Sequence, residues 1–282
     1  MRLIRYGEKG KENPGLLKDG KIVNLRRIFP EIPDISETFF RDGWMEKLAK
    51  VSDSGQEMDV RLGCPILHPS KLICLGINYL EHKQETGFEK PANPLLFCKT
   101  PNTLNGPLDP ILLPHSSKQV DWEVELAVVI GKKAKYLDES DALGHVAGYL
   151  LHNDYSEREF QLERGGQWVK GKSADTFAPL GPFLATRDEI ADPGNLHLWL
   201  RVNGKTMQDG HTSNMAFRVS YLVSYLSRFM TLLPGDIVST GTPAGVGLGL
   251  DPPAYLKPGD VVELGIDGLG QARQEVVKEE GS

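Results

Sequence analysis

Sulfur chemistry is scarce in this sequence. Its three cysteines, Cys64, Cys74 and Cys98, are odd in number, sit in apolar stretches and show no C-x-x-C spacing. That pattern argues against a disulfide framework or a zinc site and predicts buried free thiols. Long apolar runs are missing as well. No stretch approaches the roughly 20 apolar residues of a membrane span, and the opening MRLIRYGEKGKENPG has no signal-peptide h-region. No membrane attachment is expected, and the cytoplasm is the expected compartment. Basic clusters do not exceed pairs such as Lys132-Lys133, and the net charge is −6 with a pI near 5.7. The electrostatic footprint of a nucleic-acid binder is lacking, so a small molecule is the expected ligand.

What is present is the balance of a globular enzyme: 282 residues, 40% hydrophobic and 25% charged, enough for one large domain with or without a small one. Residues 1–65 read as short strands around turns (LIRYG, NPGLLKDGKIVNL), then a polar helical stretch near MEKLAK and a linker, SDSGQEMDVRLGCP. They predict a small β-rich N-terminal module, with residues 66–282 as a second, catalytic domain. From KLICLGINY onward strands and Pro/Gly turns dominate. The clearest helix is SNMAFRVSYLVSYLSRFM, where Met215, Val219, Leu222, Val223 and Leu226 recur at helical spacing. LLPGDIVSTGTP and LKPGDVVELGID each set Pro-Gly at a corner ahead of a strand, which suits a rolled, mostly antiparallel sheet rather than alternating strand and helix units.

Candidate chemistry begins in VDWEVELAVVIGKK. Its alternation predicts a half-buried strand with Trp122, Val124, Leu126, Val128 and Ile130 on one face and Glu123, Glu125, Ala127 and Val129 on the other. Residues two apart on a strand point the same way, so Glu123 and Glu125 could share an ion; the plain alternative is a solvated strand face. Asp154 ends the apolar run of VAGYLLHNDYSEREFQ and offers a third carboxylate, or is an ordinary turn aspartate. Three carboxylates without His or Cys favour a hard cation, Mg2+ or Mn2+.

GINYLEHKQETG predicts a short helix with Asn78 as N-cap, Glu81 in capping-box position and Gly87 as its stop. His82 and Glu85 are i,i+3 neighbours there, either a dyad on a lid or a surface pair. GQWVKGKS, Gly166 to Ser173, matches the phosphate-loop letters, but it follows a charged stretch and leads into proline-containing ADTFAPLGP. A nucleotide-binding module is therefore a minor alternative, and Lys172 stands out as a lone cation near the acidic cluster. STGTPAGVGLG, with Thr240 and Thr242, could present backbone N–H groups to an anion or be a glycine-rich turn.

Together, LGINYLEHKQE, LLFCKT, VDWEVELAVVIGKKAKY, NDYSEREFQ, GQWVKGKSADTFAPLGP, VNG and PGDIVSTGTPAGVG resemble the fumarylacetoacetate hydrolase family over about residues 70–275. The resemblance implies an α+β, β-rich fold: a mixed β-sandwich roll of the fumarylacetoacetate hydrolase C-terminal type with a small N-terminal domain. It also implies a homodimer and a Mg2+ site, Mn2+ being possible, that acts on 2-oxo or 2,4-dioxo acids. Motif by motif, Glu123, Glu125 and Asp154 match the metal ligands, His82 and Glu85 a water-activating lid dyad, and Lys172 the active-site lysine. Lys99, Arg158, Gln161 and Thr242 match positions lining the substrate.

Within the family the chain is most similar to hydrolases of 2,4-diketo-3-deoxy-L-fuconate or L-rhamnonate, often labelled ureidoglycolate lyase. The implied reaction is hydrolysis of a C3–C4 bond to pyruvate and a second acid. Oxaloacetate decarboxylases, isomerases and lyases share the same metal site, so fold and ligands alone do not choose among them.

Overall fold

The central strand, Val124–Ile130, is buried at every position. The computed structural model describes residues 1–79 and 91–279. Among these, the strand lies inside a ten-stranded sheet, flanked by antiparallel neighbours Val146–Asn153 and Ile237–Ser239. Beyond Ile237–Ser239 come Leu72–Gly76, paired in parallel, and then the edge strand Leu95–Lys99. On the other side Leu184–Thr186 joins Val146–Asn153 to the N-terminal strands Arg2–Tyr6, Asn13–Lys18 and Lys21–Asn24. A five-stranded sheet, led by Lys205–His211, His197–Val202, Val261–Ile266 and Gly270–Lys278, packs against the first. The fold is β-rich α+β.

Burial on both faces corrects the half-buried expectation. Val124, Leu126, Val128 and Ile130 face the smaller sheet through Leu198, Leu200, Val262 and Leu264, with Val219, Leu222, Val223 and Leu226 closing the same core. Ala127 and Val129 face a second core containing Leu150, Phe39, Phe40, Trp44 and Leu48. The short helices Glu37–Arg41 and Trp44–Leu48 thus cover a face that local alternation assigns to solvent. Helices this short form through burial of their aromatic side, not through propensity. Truncating Phe39, fully buried, would cost about 3–5 kcal/mol.

Three local expectations are refined. The helix of the SNMAFRVSYLVSYLSRFM stretch spans Val219–Phe229 with Arg218 as N-cap; Met215 lies ahead of it, buried and bridged to Tyr79. Cys64 and Cys74 are buried free thiols, but Cys98 is exposed, because its strand is the last of its sheet. Burial pushes the Cys64 thiol up to about 11. The two Pro-Gly corners turn with Gly235 and Gly259 at φ 86° and 92°, a region that suits glycine. Among the described residues, no helix is long and apolar enough to cross a membrane.

Candidate metal centre

Three chain segments converge at one end of the central strand. Glu125 lies on that strand and Glu123 just ahead of it, while Asp154 follows the neighbouring strand Val146–Asn153. Backbone bonds fix the junction: Asp154 N donates to Glu123 O at 2.9 Å, and Glu123 N donates to Asn153 Oδ1 at 3.0 Å. Gln208 ties in a third segment, accepting from Val124 N at 2.9 Å and donating to Thr242 Oγ1 at 2.8 Å. The result is that Glu123, Glu125 and Asp154, all buried, bring carboxylate oxygens within 4.8 Å of one another.

Burying three carboxylates together requires positive charge. Lys172 Nζ donates to Glu123 Oε2 at 2.7 Å and to Asp154 Oδ2 at 2.9 Å. Lys99 Nζ donates to Asp154 Oδ1 and, at 3.0 Å, to Tyr155 O. Arg158 Nη2 donates to Glu123 Oε1 at 2.6 Å and Nη1 to Gln161 Oε1 at 2.9 Å, while Nε pairs with Asp121 at 2.7 Å. Glu157 caps the helix Arg158–Leu162 by accepting from Phe160 N at 2.7 Å, so Arg158 is aimed by its own helix start.

The charge states follow. Burial opposes charge on Asp154, but Lys172 and Lys99 outweigh it and hold the carboxyl well below the usual range. Burial likewise opposes charge on Lys172, and Asp154 and Glu123 override it to keep the ammonium protonated. Glu125 differs. Burial pushes its carboxyl far up, and the negative charges of Asp154 and Glu123 push the same way. Its Oε2 accepts from the Ser239 hydroxyl and from Gly241 N at 3.1 Å, while Oε1 is buried with no hydrogen-bond partner among the described residues. A buried carboxylate oxygen left open beside two other carboxylates is a place for a cation.

A small cleft opens over the cluster. Glu123, Glu125, Arg158, Gln161, Lys172 and Thr242 form its polar lining; Phe97, Leu162, Trp168, Val246 and Leu248 form an apolar wall. Ile77, also on the wall, has φ 55°, a strained conformation for a β-branched residue. Lys99 stands apart from the lining, behind Asp154. His82 and Glu85 lie outside the described residues, as does the helix predicted around them. Asn78 is placed: its buried amide donates to Phe217 O and Thr240 O and accepts from Phe217 N, which ties it to two distant loops.

Sequence reasoning missed Asp121, Gln208, His152 and Ser239. Asp121 is the counter-charge that orients Arg158, and burial raises its carboxyl to about 6. His152, fully buried, is held neutral by burial at about 3. The shared strand face of Asp121 with Glu123 could have pointed to it. His152 and Ser239 sit inside sequence motifs, two residues before Asp154 and one before Thr240, but only the strand pairing brings them together, and Gln208 comes from a remote segment. The phosphate-loop reading loses its context, because Gly166 to Ser173 follows a turn and forms the four-residue helix Val169–Lys172. A Cβ at Gly171 would run into Glu157 O and stand 2.6 Å from Gln161 Cβ, so this glycine permits close packing of two helices.

Comparison with known proteins gives a consistent set. The family model described as fumarylacetoacetate (FAA) hydrolase C-terminal matches residues 71–277. A Burkholderia multivorans protein with a provisional hydrolase name is 47% identical over 279 residues, 97% of this chain and 98% of the relative. The structure of 2-hydroxyhepta-2,4-diene-1,7-dioate isomerase from Mycobacterium marinum is similar with TM-score 0.78 and 34% identity, covering 100% of both chains. Maleylpyruvate hydrolase from Sphingobium sp. SYK-6, solved with manganese(II) and pyruvate, is similar with TM-score 0.80 and 28% identity, covering 99% of this chain and 100% of that one.

Proposed function

This chain belongs to the fumarylacetoacetate hydrolase family, and from that premise we propose a divalent-metal-dependent hydrolase that cleaves the C3–C4 bond of a 2,4-dioxo acid. The substrate class is an acylpyruvate or a 2,4-diketo-3-deoxy sugar acid, and the products are pyruvate and a second carboxylic acid. The observation that carries the proposal is the open Oε1 of Glu125 beside Glu123 and Asp154 at the polar end of the cleft. An all-oxygen donor set suits Mg2+ or Mn2+, in keeping with the manganese(II) of the maleylpyruvate hydrolase neighbour. Glu123, Glu125 and Asp154 would hold the ion, which when bound supplies Lewis-acid polarisation of the substrate's 2-oxo group.

The protein's own groups do the rest. Lys172, charged and on the cleft wall, stabilises negative charge that develops on oxygen as the C3–C4 bond breaks. Arg158, locked by Asp121 and Gln161, and Thr242 orient the carboxylate and hydroxyl groups of the acid. Lys99 positions Asp154 from behind. His82, oriented by Glu85, takes a proton from water as it attacks the C4 carbonyl; the electron pair of the broken bond leaves with the pyruvate fragment, which is then protonated at C3. Support for the His82 and Glu85 roles is the sequence motif alone.

The isomerase neighbour favours a second reading on the same site, isomerisation of a 2-oxo acid, with oxaloacetate decarboxylation beside it. Neither needs an attacking water. Pyruvate release measured across acylpyruvates, deoxy-diketo sugar acids and oxaloacetate, with Mg2+ or Mn2+ and product identification, separates the three. Pyruvate with a matching second acid is expected; CO2 from oxaloacetate alone, or an isomerised acid with its carbon chain intact, would replace the hydrolase. The proposal includes a homodimer, a cytoplasmic location and a division of the chain at residues 65/66. Light scattering coupled to size-exclusion chromatography checks the first, and limited proteolysis the last.

A further inference from the structure

Glu125, His152 and Ser239 lie on three adjacent strands and share one face. The register sets His152 directly opposite Glu125 and Ser239 opposite Ala127, two residues further along. All three are fully buried. The Ser239 hydroxyl donates to Glu125 Oε2 and stands 2.7 Å from His152 Nδ1. A hydroxyl carries a single proton. With that proton directed to Glu125, the contact with His152 is a hydrogen bond only if Nδ1 bears its own proton and donates it to Ser239 Oγ. The donors then run in series, His152 to Ser239 to Glu125, and Gly241 N–H adds a second donor to the same Oε2 at 3.1 Å. Both fall on Oε2, so Oε1 is the oxygen left for ligation.

Resting on the metal-centre reading, we infer that His152 is a positioning residue for Glu125: as its Nδ1–H tautomer it fixes the Ser239 hydroxyl on Oε2 and so turns Oε1 toward the ion. Among the described residues no lysine or arginine takes part in this arrangement, unlike that around Glu123 and Asp154. Hydrogen-bond partners behind a ligand set its direction, and their loss weakens metal binding roughly 10–100-fold.

Mn2+ binding to the full chain, followed by the electron paramagnetic resonance of free Mn2+, tests the inference, with thermal melts confirming that each variant folds. His152→Leu and Ser239→Ala are expected to weaken Mn2+ binding roughly 10–100-fold. His152→Asn, whose Nδ2 can stand where Nδ1 stands, and Ser239→Thr, which keeps the hydroxyl, are expected to stay within about threefold of the parent. Combining His152→Leu with Ser239→Ala should weaken binding no further than Ser239→Ala alone, since both remove one series of bonds.

A histidine that merely fills space gives a different pattern. Parent-like affinity in His152→Leu, or equal losses in His152→Asn and His152→Leu, overturns the inference. Should the leucine variant fail to fold, the 15N resonances of His152 in the parent decide: a protonated Nδ1 with a bare Nε2 is expected, and the opposite tautomer overturns it. A parent protein that binds no Mn2+ would remove the metal centre of the proposed function, leaving the same resonances to judge the hydrogen-bond series.

Discussion

Around Arg5 the N-terminal strands enclose an ionic network in which every carboxylate meets a guanidinium. Asp34 accepts from Arg5 at 2.7 and 3.0 Å, Glu12 pairs with Arg5 at 3.3 Å and Arg61 at 2.8 Å, and Asp109 accepts from Arg61 at 2.7 and 2.5 Å. Around the cleft, Glu123 and Asp154 are satisfied in the same manner, but Glu125 meets no lysine or arginine among the described residues. Burial pushes the carboxyls of Glu12 and Glu125 upward alike. Arg61 and Arg5 reverse that at Glu12, whereas Asp154 and Glu123 reinforce it at Glu125. The first network is closed by its own cations; the second leaves one buried carboxylate to neutral donors, as a cation-binding cluster requires.

The largest effects should come from exchanging those conditions. Glu125→Gln keeps an acceptor for Ser239 and Gly241, so the metal-free protein should melt at or above the parent temperature. Its metal-dependent turnover should fall by at least about 10³-fold, roughly 4 kcal/mol of transition-state stabilisation. Asp154→Asn also loses turnover, but it takes the carboxylate from buried Lys99 and leaves Lys172 with Glu123 alone, and should destabilise the metal-free fold by about 3–5 kcal/mol in urea denaturation. Arg5→Met breaks the closed network and should destabilise by a similar amount while the residual folded enzyme keeps its kcat.

Next come the two lysines. Lys172→Met, on the cleft wall, should lower kcat by about 10²–10³-fold. Lys99→Met, behind Asp154, should weaken Mn2+ binding by roughly tenfold and change kcat less at saturating metal. Calorimetry should show Mn2+ at about 100 times its Kd stabilising the parent by about 2.7 kcal/mol, and doing nothing for Glu125→Gln.

The smallest effect lies in the closed network. Cys64, whose carbonyl accepts from Arg5, has its thiol raised from 9.0 to about 11. Between those values the folded state keeps a proton that the unfolded chain has released. Stability is therefore intact below pH 9 and falls by about 2 kcal/mol as pH approaches 11. Cys64→Ala should flatten that alkaline slope relative to the parent in pH-resolved denaturation.

The acidic cluster was legible because its cause is local: two-residue spacing puts Glu123 and Glu125 on one face, and Asp154 ends the adjoining apolar strand. Lys172, Arg158 and Thr242 were legible through motifs, and all three line the cleft. The second buried face of Val124–Ile130 was not, since Phe39, Phe40 and Trp44, which cover it, lie some eighty residues earlier. His152 and Ser239 were hidden for the same reason: a neutral histidine in an apolar run acquires meaning only when a strand from the far end of the chain supplies a hydroxyl. Met215 fits helical spacing and is buried in the same core, yet it lies ahead of the helix in a backbone bridge to Tyr79. Cys98 looks buried by composition and is exposed by its place at the sheet's rim.

Gly171 shows how one alphabet serves opposite ends. In a nucleotide cradle the glycine ahead of the lysine leaves backbone amides bare for an anion; here the missing side chain lets one short helix nestle under the carbonyl of Glu157, and Lys172 is carried inward onto its carboxylates. Any residue with a side chain at that place should lever the lysine away from the acid cluster without touching substrate at all.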